Sequence, residues 1–318
     1  MNKIEVSVII VCMNNYEQLR GCLDSIKKYT LNVTYEVLIV AYFFSDENLT
    51  KLGKEYPWVN AIISNEIRGF SANNNLALRQ ARGQYCFVVN DDTYMEMPVI
   101  DGLVDSIRKD EKIAIVSPKI ISPNRYVQYC GIPPISWIDW IKILYKMQSD
   151  IYDKTNSYVN RQGFFKTYNI VGAAFLIRTN IFREMGFFDE RYFFGPEDKA
   201  LSTSINKMGY ECWVNADIEI YHLRGQTGGA QSKTICATRP ANRKGCLIMF
   251  AEGNKVKKIV LAIAIWLNSF TLAVYWFFKS ITGSKSAWYS FVANINVCLS
   301  IFLSKTPTEI FKKYYKVG

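Results

Sequence analysis

Gly83-Gln-Tyr-Cys-Phe-Val-Val-Asn-Asp-Asp-Thr93 reads as a β-branched and aromatic strand, Tyr85 to Val89, that stops on a carboxamide and two adjacent carboxylates. Outward from it the same rhythm repeats. Val6 to Val11, Glu36 to Val40, Ala61 to Ser64 and Ala114 to Ser117 are predicted strands. Between them Tyr16 to Tyr29 sets Leu19, Cys22, Leu23 and Ile26 on one helical face, and Ala72 to Ala81 and Val99 to Lys109 also have helical spacing. Short strands alternating with helices predict an α/β fold around a mostly parallel sheet. Cys130 to Phe165 loses the rhythm and reads as an insertion lining a cleft. Asn169 to Ile177 resumes as a strand and Asp198 to Met208 as a helix.

Charge and composition narrow the class. Of the net +10, residues 244–318 hold +8, ten lysines against Glu252 and Glu309, which leaves residues 1–243 nearly balanced. The tail also carries two uncharged apolar runs flanked by lysines, Ile259 to Phe278 and Ala287 to Leu303. Lysine beside aromatic-rich apolar helices points to an anionic membrane surface. No basic stripe interleaved with aromatics occurs before residue 243, so no nucleic-acid partner is expected. The first run is about 30 Å long as a helix, enough to span a bilayer. Asn268, Ser269 and Thr271 interrupt it, and Lys279 and Lys285 sit where a hairpin would turn. Helices lying in one leaflet are expected over a spanning hairpin, with packing on the first domain or across a homo-oligomer as the other reading. Eight scattered cysteines without a close CxxC pair and a start without a secretory pattern suggest the reducing cytoplasm.

In an open α/β sheet, ligands bind beyond the carboxyl ends of the strands. There Asn90, Asp91 and Asp92 form a hard oxygen site suited to Mg²⁺ or Mn²⁺ bridging a diphosphate. An Asx turn capping the next helix would use the same residues. Glu197-Asp198 opens a helix, where acids also serve the dipole. The preceding Gly186-Phe-Phe-Asp-Glu-Arg-Tyr-Phe-Phe194 would surround a carboxylate with rings and suit it to act as a base. His222, the only histidine, follows a predicted strand and precedes a glycine turn with Arg224 and Thr227. It is placed to meet a phosphate or metal, or simply to pack.

Taken together, in order over residues 6–227, these segments resemble the family 2 glycosyltransferases of the GT-A fold, particularly bacterial rhamnosyltransferase-like enzymes of surface polysaccharide assembly. Val6-Ser-Val-Ile-Ile-Val-Cys-Met-Asn14 is similar to the family's opening strand and nucleotide-contacting turn, and Arg68-Gly-Phe-Ser-Ala-Asn-Asn-Asn75 to its segment beside the nucleotide. Gly83 to Thr93 is similar to the strand ending in the DXD-type motif, Val171 to Arg178 to the strand before the acceptor, Glu197-Asp198 to the ED motif, and His222 to Thr227 to the HxxGxS-like turn. The resemblance implies a GT-A domain at 1–235 followed by an α-helical, membrane-associating region at 236–318. It implies an inverting transfer of a sugar, with rhamnose a candidate, from a nucleotide-sugar donor to a glycan or polyprenyl-linked acceptor at the cytoplasmic face of the cell membrane.

Asp198 is then the expected base, with Glu197 the runner-up. Asp92, Asn90 and His222 are expected at Mg²⁺ or Mn²⁺. Asn14, Asp46, Arg68, Gly69, Phe70, Asn75, Asp91, His222 and Thr227 are expected around the donor. The sequence departs from the pattern at Ala41, where the family's base-contacting aspartate stands. Only Asp46 survives there, and Tyr42, Phe43 or Phe44 are left as stacking surfaces. Lys199-Ala200 and Ser204 depart after the ED motif. Ala41 also motivates a different reading, a degenerate domain kept as a membrane partner of an active subunit.

Overall fold

The computed structural model describes residues 3–145, 156–223 and 233–315. β1 (Val6–Cys12), β2 (Tyr35–Tyr42), β3 (Val59–Ser64) and β4 (Tyr85–Asn90) alternate with α1 (Tyr16–Tyr29), α2 (Asp46–Glu55) and α3 (Phe70–Leu78). They pair in parallel in the order β3-β2-β1-β4. After them come β5 (Thr93–Tyr94), α4 (Val99–Ile107), β6 (Ile113–Ile121), β7 (Val127–Tyr129), α5 (Trp137–Leu144) and α6 (Asn156–Val159). β8 (Phe164–Thr167), β9 (Ala174–Arg178), α7 (Thr179–Glu184), α8 (Glu197–Lys207) and β10 (Glu211–His222) complete the α/β part. The sheet continues β9-β6-β10-β5, with β9 antiparallel between β4 and β6. Strands covered on both faces read as unbroken apolar runs. In β1, Val8 and Ile10 join a core with α1 and α4, while Ile9 joins the opposite core with α3, α7 and α8.

The predicted elements recur with displaced ends. α1 has the predicted bounds, held by its Asn15 cap. α3 starts two residues before the predicted Ala72 because Gly69 caps it and Phe70 N donates to Phe193 O at 2.7 Å. The strand predicted from Asn169 begins only at Ala174, since Asn169 exchanges both backbone hydrogen bonds with Ile132 instead.

Glu36 anchors the amino ends of β1 and β2. Its buried carboxylate accepts from Ser7 Oγ at 2.7 Å, from Arg82 N at 2.8 Å, and from Arg82 Nε and Nη2 at 2.9 and 2.6 Å. Burial pushes its pKa up, but these hydrogen bonds outweigh burial and hold it below the ordinary value. A carboxyl lowered on folding adds stability above its unfolded pKa, about 4.3, and loses it as pH falls through the folded value. Glu36→Ala is therefore expected to cost about 2 kcal/mol at pH 7, mostly from the lost hydrogen bonds, since the Arg82 guanidinium left behind is exposed. The gap in urea midpoint from wild type should narrow below about pH 4, and a gap that stays constant into acid would show that the charge contributes nothing.

The tail forms α9 (Ile235–Ala251), α10 (Lys255–Ser280), α11 (Lys285–Ser300) and α12 (Pro307–Tyr314). α9 and α12 both rest on Phe193, whose ring stacks on Phe311 at 4.0 Å beside Ala237 and Ala241. Lys244 is buried and donates to Ile301 O and Leu303 O beyond the end of α11. The polar residues of the second run face inward: Ser290, Asn294, Asn296 and Ser300 are buried, and Asn296 donates to Cys236 O. α10 is long and apolar enough to cross a membrane, yet one face, with Leu261, Ala262, Ile265 and Ser269, is buried in the protein.

Candidate active site

The acidic edge is built by register. Val11 pairs with Asn90 and Cys12 with Ala41, so the turn at Asn14, the end of β2 and Asn90-Asp91-Asp92 share one carboxyl edge. Asn14 holds a left-handed φ of 54°, which its short amide tolerates. Its Oδ1 accepts from Ser45 N and Asn48 Nδ2, both at 2.9 Å, and fixes the β2–α2 turn. β5 doubles back antiparallel on β10, pairing His222 with Thr93, and Leu223 N donates to Asp92 O. This brings His222 Nε2 to 3.3 Å from Asp92 Oδ1.

Asp91 and Asp92 are both buried, and Asp91 Oδ2 has no hydrogen-bond partner. Burial, joined by the Asp92 charge, pushes Asp91 up to about 6. Gln128, on β7, had no sequence signal. Its Nε2 donates to His222 O and its Oε1 faces His222 Nδ1, each at 2.8 Å. An amide oxygen opposite Nδ1 makes that nitrogen the donor and turns Nε2 toward Asp92. The Asp92–His222 pair and the bare oxygen of Asp91 are ligand types that suit Mg²⁺ or Mn²⁺. Among the described residues no three His, Cys, Asp or Glu side chains come together as a group that could hold a metal ion, so an ion at this edge would need ligands from outside the chain.

Two hydrogen bonds tie this edge to the ED motif. Asn90 N donates to Ala173 O at 3.0 Å, and Gly172 N donates to Asp198 Oδ2 at 3.3 Å. Asp198 Oδ1 also accepts from Lys199 N at 2.7 Å. Glu197, one residue earlier, has a buried oxygen, Oε2, without a partner. Burial first, then the Asp198 charge, raises its carboxyl above the ordinary range. The loop before α8 is set by the tail. Asn242 Nδ2 donates to Phe194 O at 3.0 Å, and a Cβ on Gly245 would lie 2.8 Å from Gly195 O.

The structure separates the other expected residues. Asn75 is fully buried and spends its amide on the 188–190 loop, donating to Phe188 O and Glu190 Oε1 and accepting from Phe188 N. It is a latch with nothing left for a donor, which corrects its expected placement. Phe70 packs edge-on against Phe188, and a Cβ on Gly69 would collide with the Phe193 backbone, so both serve packing. Arg68 bonds Glu66, and its Nε is buried and unpartnered. Asp46 is exposed in the first turn of α2. Of the three aromatics after Ala41, Phe44 is in the core, Tyr42 is bonded to the Arg68 backbone, and Phe43 is exposed. Thr227 and Arg224 lie outside the described residues. A cleft of about 1300 Å³ is lined by Pro134, Trp137, Phe187, Lys199 and Met249 but by none of Asp91, Asp92, Asp198 or His222. The 130–165 insertion thus lines a cleft through residues 134–137.

Comparisons with known proteins bear on the family and the fold. The glycosyl transferase family 2 model matches residues 7–186. The O-antigen biosynthesis protein RfbC of Myxococcus xanthus is 23% identical over 235 residues, 69% of this chain, and the chain spans only 17% of that protein's length. Among solved structures, GalNAc-T7 with UDP, GalNAc and Mn²⁺ aligns with a TM-score of 0.57 and 19% identity over 74% of this chain and 47% of that one. The mannosyltransferase PcManGT of Pyrobaculum calidifontis with GDP-Man and Mn²⁺ aligns at 0.51 and 16% identity over 93% and 88%. Both likenesses show the fold, GT-A, and with the family model matching more than half of its length, the chain belongs to glycosyl transferase family 2.

Proposed function

We propose that the protein is an inverting, metal-dependent glycosyltransferase that moves a sugar from a nucleotide-sugar donor to a glycan or polyprenyl-linked acceptor in surface polysaccharide synthesis. The observation that carries this reading is the pair of hydrogen bonds, Asn90 N to Ala173 O and Gly172 N to Asp198 Oδ2, that set a cation-binding acidic edge and a held carboxylate side by side. Asp198 takes the proton of the acceptor hydroxyl as it attacks the anomeric carbon. Asp91, Asp92 and His222 would hold the Mg²⁺ or Mn²⁺, with Asn90 at the same edge, and the ion when bound neutralises charge on the departing nucleoside diphosphate. The RfbC relative supports a polysaccharide context, and the two solved complexes support a nucleotide donor with Mn²⁺.

Ala41 removes the acid that would read the base, and exposed Phe43 is the remaining ring there. Together with the resemblance to rhamnosyltransferase-like enzymes, on which the choice mainly rests, this departure motivates a thymidine-linked deoxysugar such as dTDP-rhamnose as the donor. The test is nucleoside diphosphate release from a panel of UDP-, GDP- and dTDP-sugars with Mn²⁺. Release from a dTDP-sugar is expected. Preference for UDP would overturn the base assignment, and no release from any member would count against the transferase.

Membrane association belongs to the same proposal, with residues 1–235 as the transferase domain and 236–318 as the membrane-associating region at the cytoplasmic face. Ile263, Leu267, Phe270 and Val274 form an exposed apolar stripe along α10, with lysines at both helix ends, as suits a helix lying in one leaflet. Ile263→Glu with Phe270→Glu is expected to lower flotation with phosphatidylglycerol-containing vesicles about tenfold or more. Unchanged flotation would point to a partner protein on that face.

A further inference from the structure

Arg239 and Arg243 stand one turn apart on α9 and share a face, as residues four apart do. Both are half-buried. Arg239 Nη1 donates to Ser290 O at 3.3 Å, and among the described residues Arg243 has no hydrogen-bond or carboxylate partner. Residues 224–232, just before α9, contain no acid. The chain treats its other covered cations differently. Arg178 donates to Ile107 O, Asp110 O and Ile113 O, and Lys244 meets two carbonyls. Burial draws Arg239 down to about 10, aided by the Arg243 charge, and lowers Arg243 as well. Two half-buried like charges without a counter-ion among the described residues oppose folding, and an anion from outside would offset the cost.

We propose that Arg239 and Arg243 form a subsite for a phosphate or diphosphate group carried by a substrate. Paired guanidinium forks match phosphate oxygens bidentately. The subsite belongs to the acceptor. Asn242 and Gly245 of the same helix touch the loop entering Glu197-Asp198, and Cys246 lies within electrostatic reach of Arg243, Glu197 and Asp198 together. α9 leads directly into α10 and its exposed apolar stripe, a path for a ligand with an anionic head and an apolar chain. Assignment to the acceptor rests on the transferase reading, whereas the anion site itself does not.

The test uses full-length protein in chelator, so that no metal-held phosphate contributes, and needs no turnover. Inorganic pyrophosphate is expected to bind wild type and raise its melting temperature. Arg239→Gln with Arg243→Gln should weaken binding at least tenfold, Lys at both positions should restore part of it, and Asp92→Ala should leave it intact. Without ligand the double glutamine variant should melt no lower than wild type, because a desolvated charge has been removed. Added polyprenyl phosphate in phosphatidylcholine vesicles should increase flotation of wild type but not of the double variant. Unchanged pyrophosphate binding, or a clear loss of melting temperature without ligand, would overturn the site. Loss of Mn²⁺-dependent nucleoside diphosphate binding with unchanged polyprenyl phosphate flotation would overturn the acceptor assignment and give the anion to the donor.

Discussion

Replacing Asp198 with asparagine is expected to cut transfer about 10²- to 10⁴-fold while leaving nucleotide affinity nearly unchanged. Asparagine keeps an oxygen for one of the two hydrogen bonds, from Gly172 N to Oδ2 or from Lys199 N to Oδ1, but cannot take a proton from a hydroxyl. The comparison with Glu197→Gln decides the residue. Glu197 presents a buried, unpartnered oxygen and a raised pKa, so it is the one other carboxylate poised beside this edge. If Glu197→Gln abolishes transfer and Asp198→Asn does not, the base is Glu197 and the reaction class stands. If both variants turn over normally, proton removal at this motif is wrong. The measurement is initial transfer rate at saturating donor, with nucleotide Kd measured alongside.

Asp92→Ala is expected to abolish turnover and to remove the Mn²⁺-dependent part of nucleoside diphosphate binding, a loss of about tenfold or more by calorimetry. The substitution takes away one carboxylate and leaves His222 Nε2 without the partner it faces at 3.3 Å. Gln128 still holds the ring from Nδ1, so misfolding of the edge should not confuse the result. Equal nucleotide binding with and without Mn²⁺ in wild type would remove the ion from this site.

The central strands were legible because burial on both faces imposes unbroken β-branched runs, and α1 because its cap and apolar spacing agree. The ends of β9 and α3 were not. They are decided by single long-range hydrogen bonds, Asn169 to Ile132 and Phe70 to Phe193, that no local pattern encodes. The acidic pair, His222 and the ED motif stand out as charged or titratable residues at strand and helix ends, and their convergence depends on the β5 and β9 pairings. Three consecutive asparagines, Asn73 to Asn75, do not say which one faces a ligand, and Asn75 turns to the 188–190 loop. Gln128 carries no motif at all. α9 was hidden because Pro240, Gly245 and the covered Arg239, Arg243 and buried Lys244 break the apolar periodicity that marks a packed helix.

The most direct measurement is nucleoside diphosphate release by full-length protein stripped of divalent ions, followed as Mn²⁺ is returned. The account predicts no release in chelator, saturable recovery in wild type, and none at any Mn²⁺ concentration in Asp92→Ala. Undiminished release in excess chelator would contradict it.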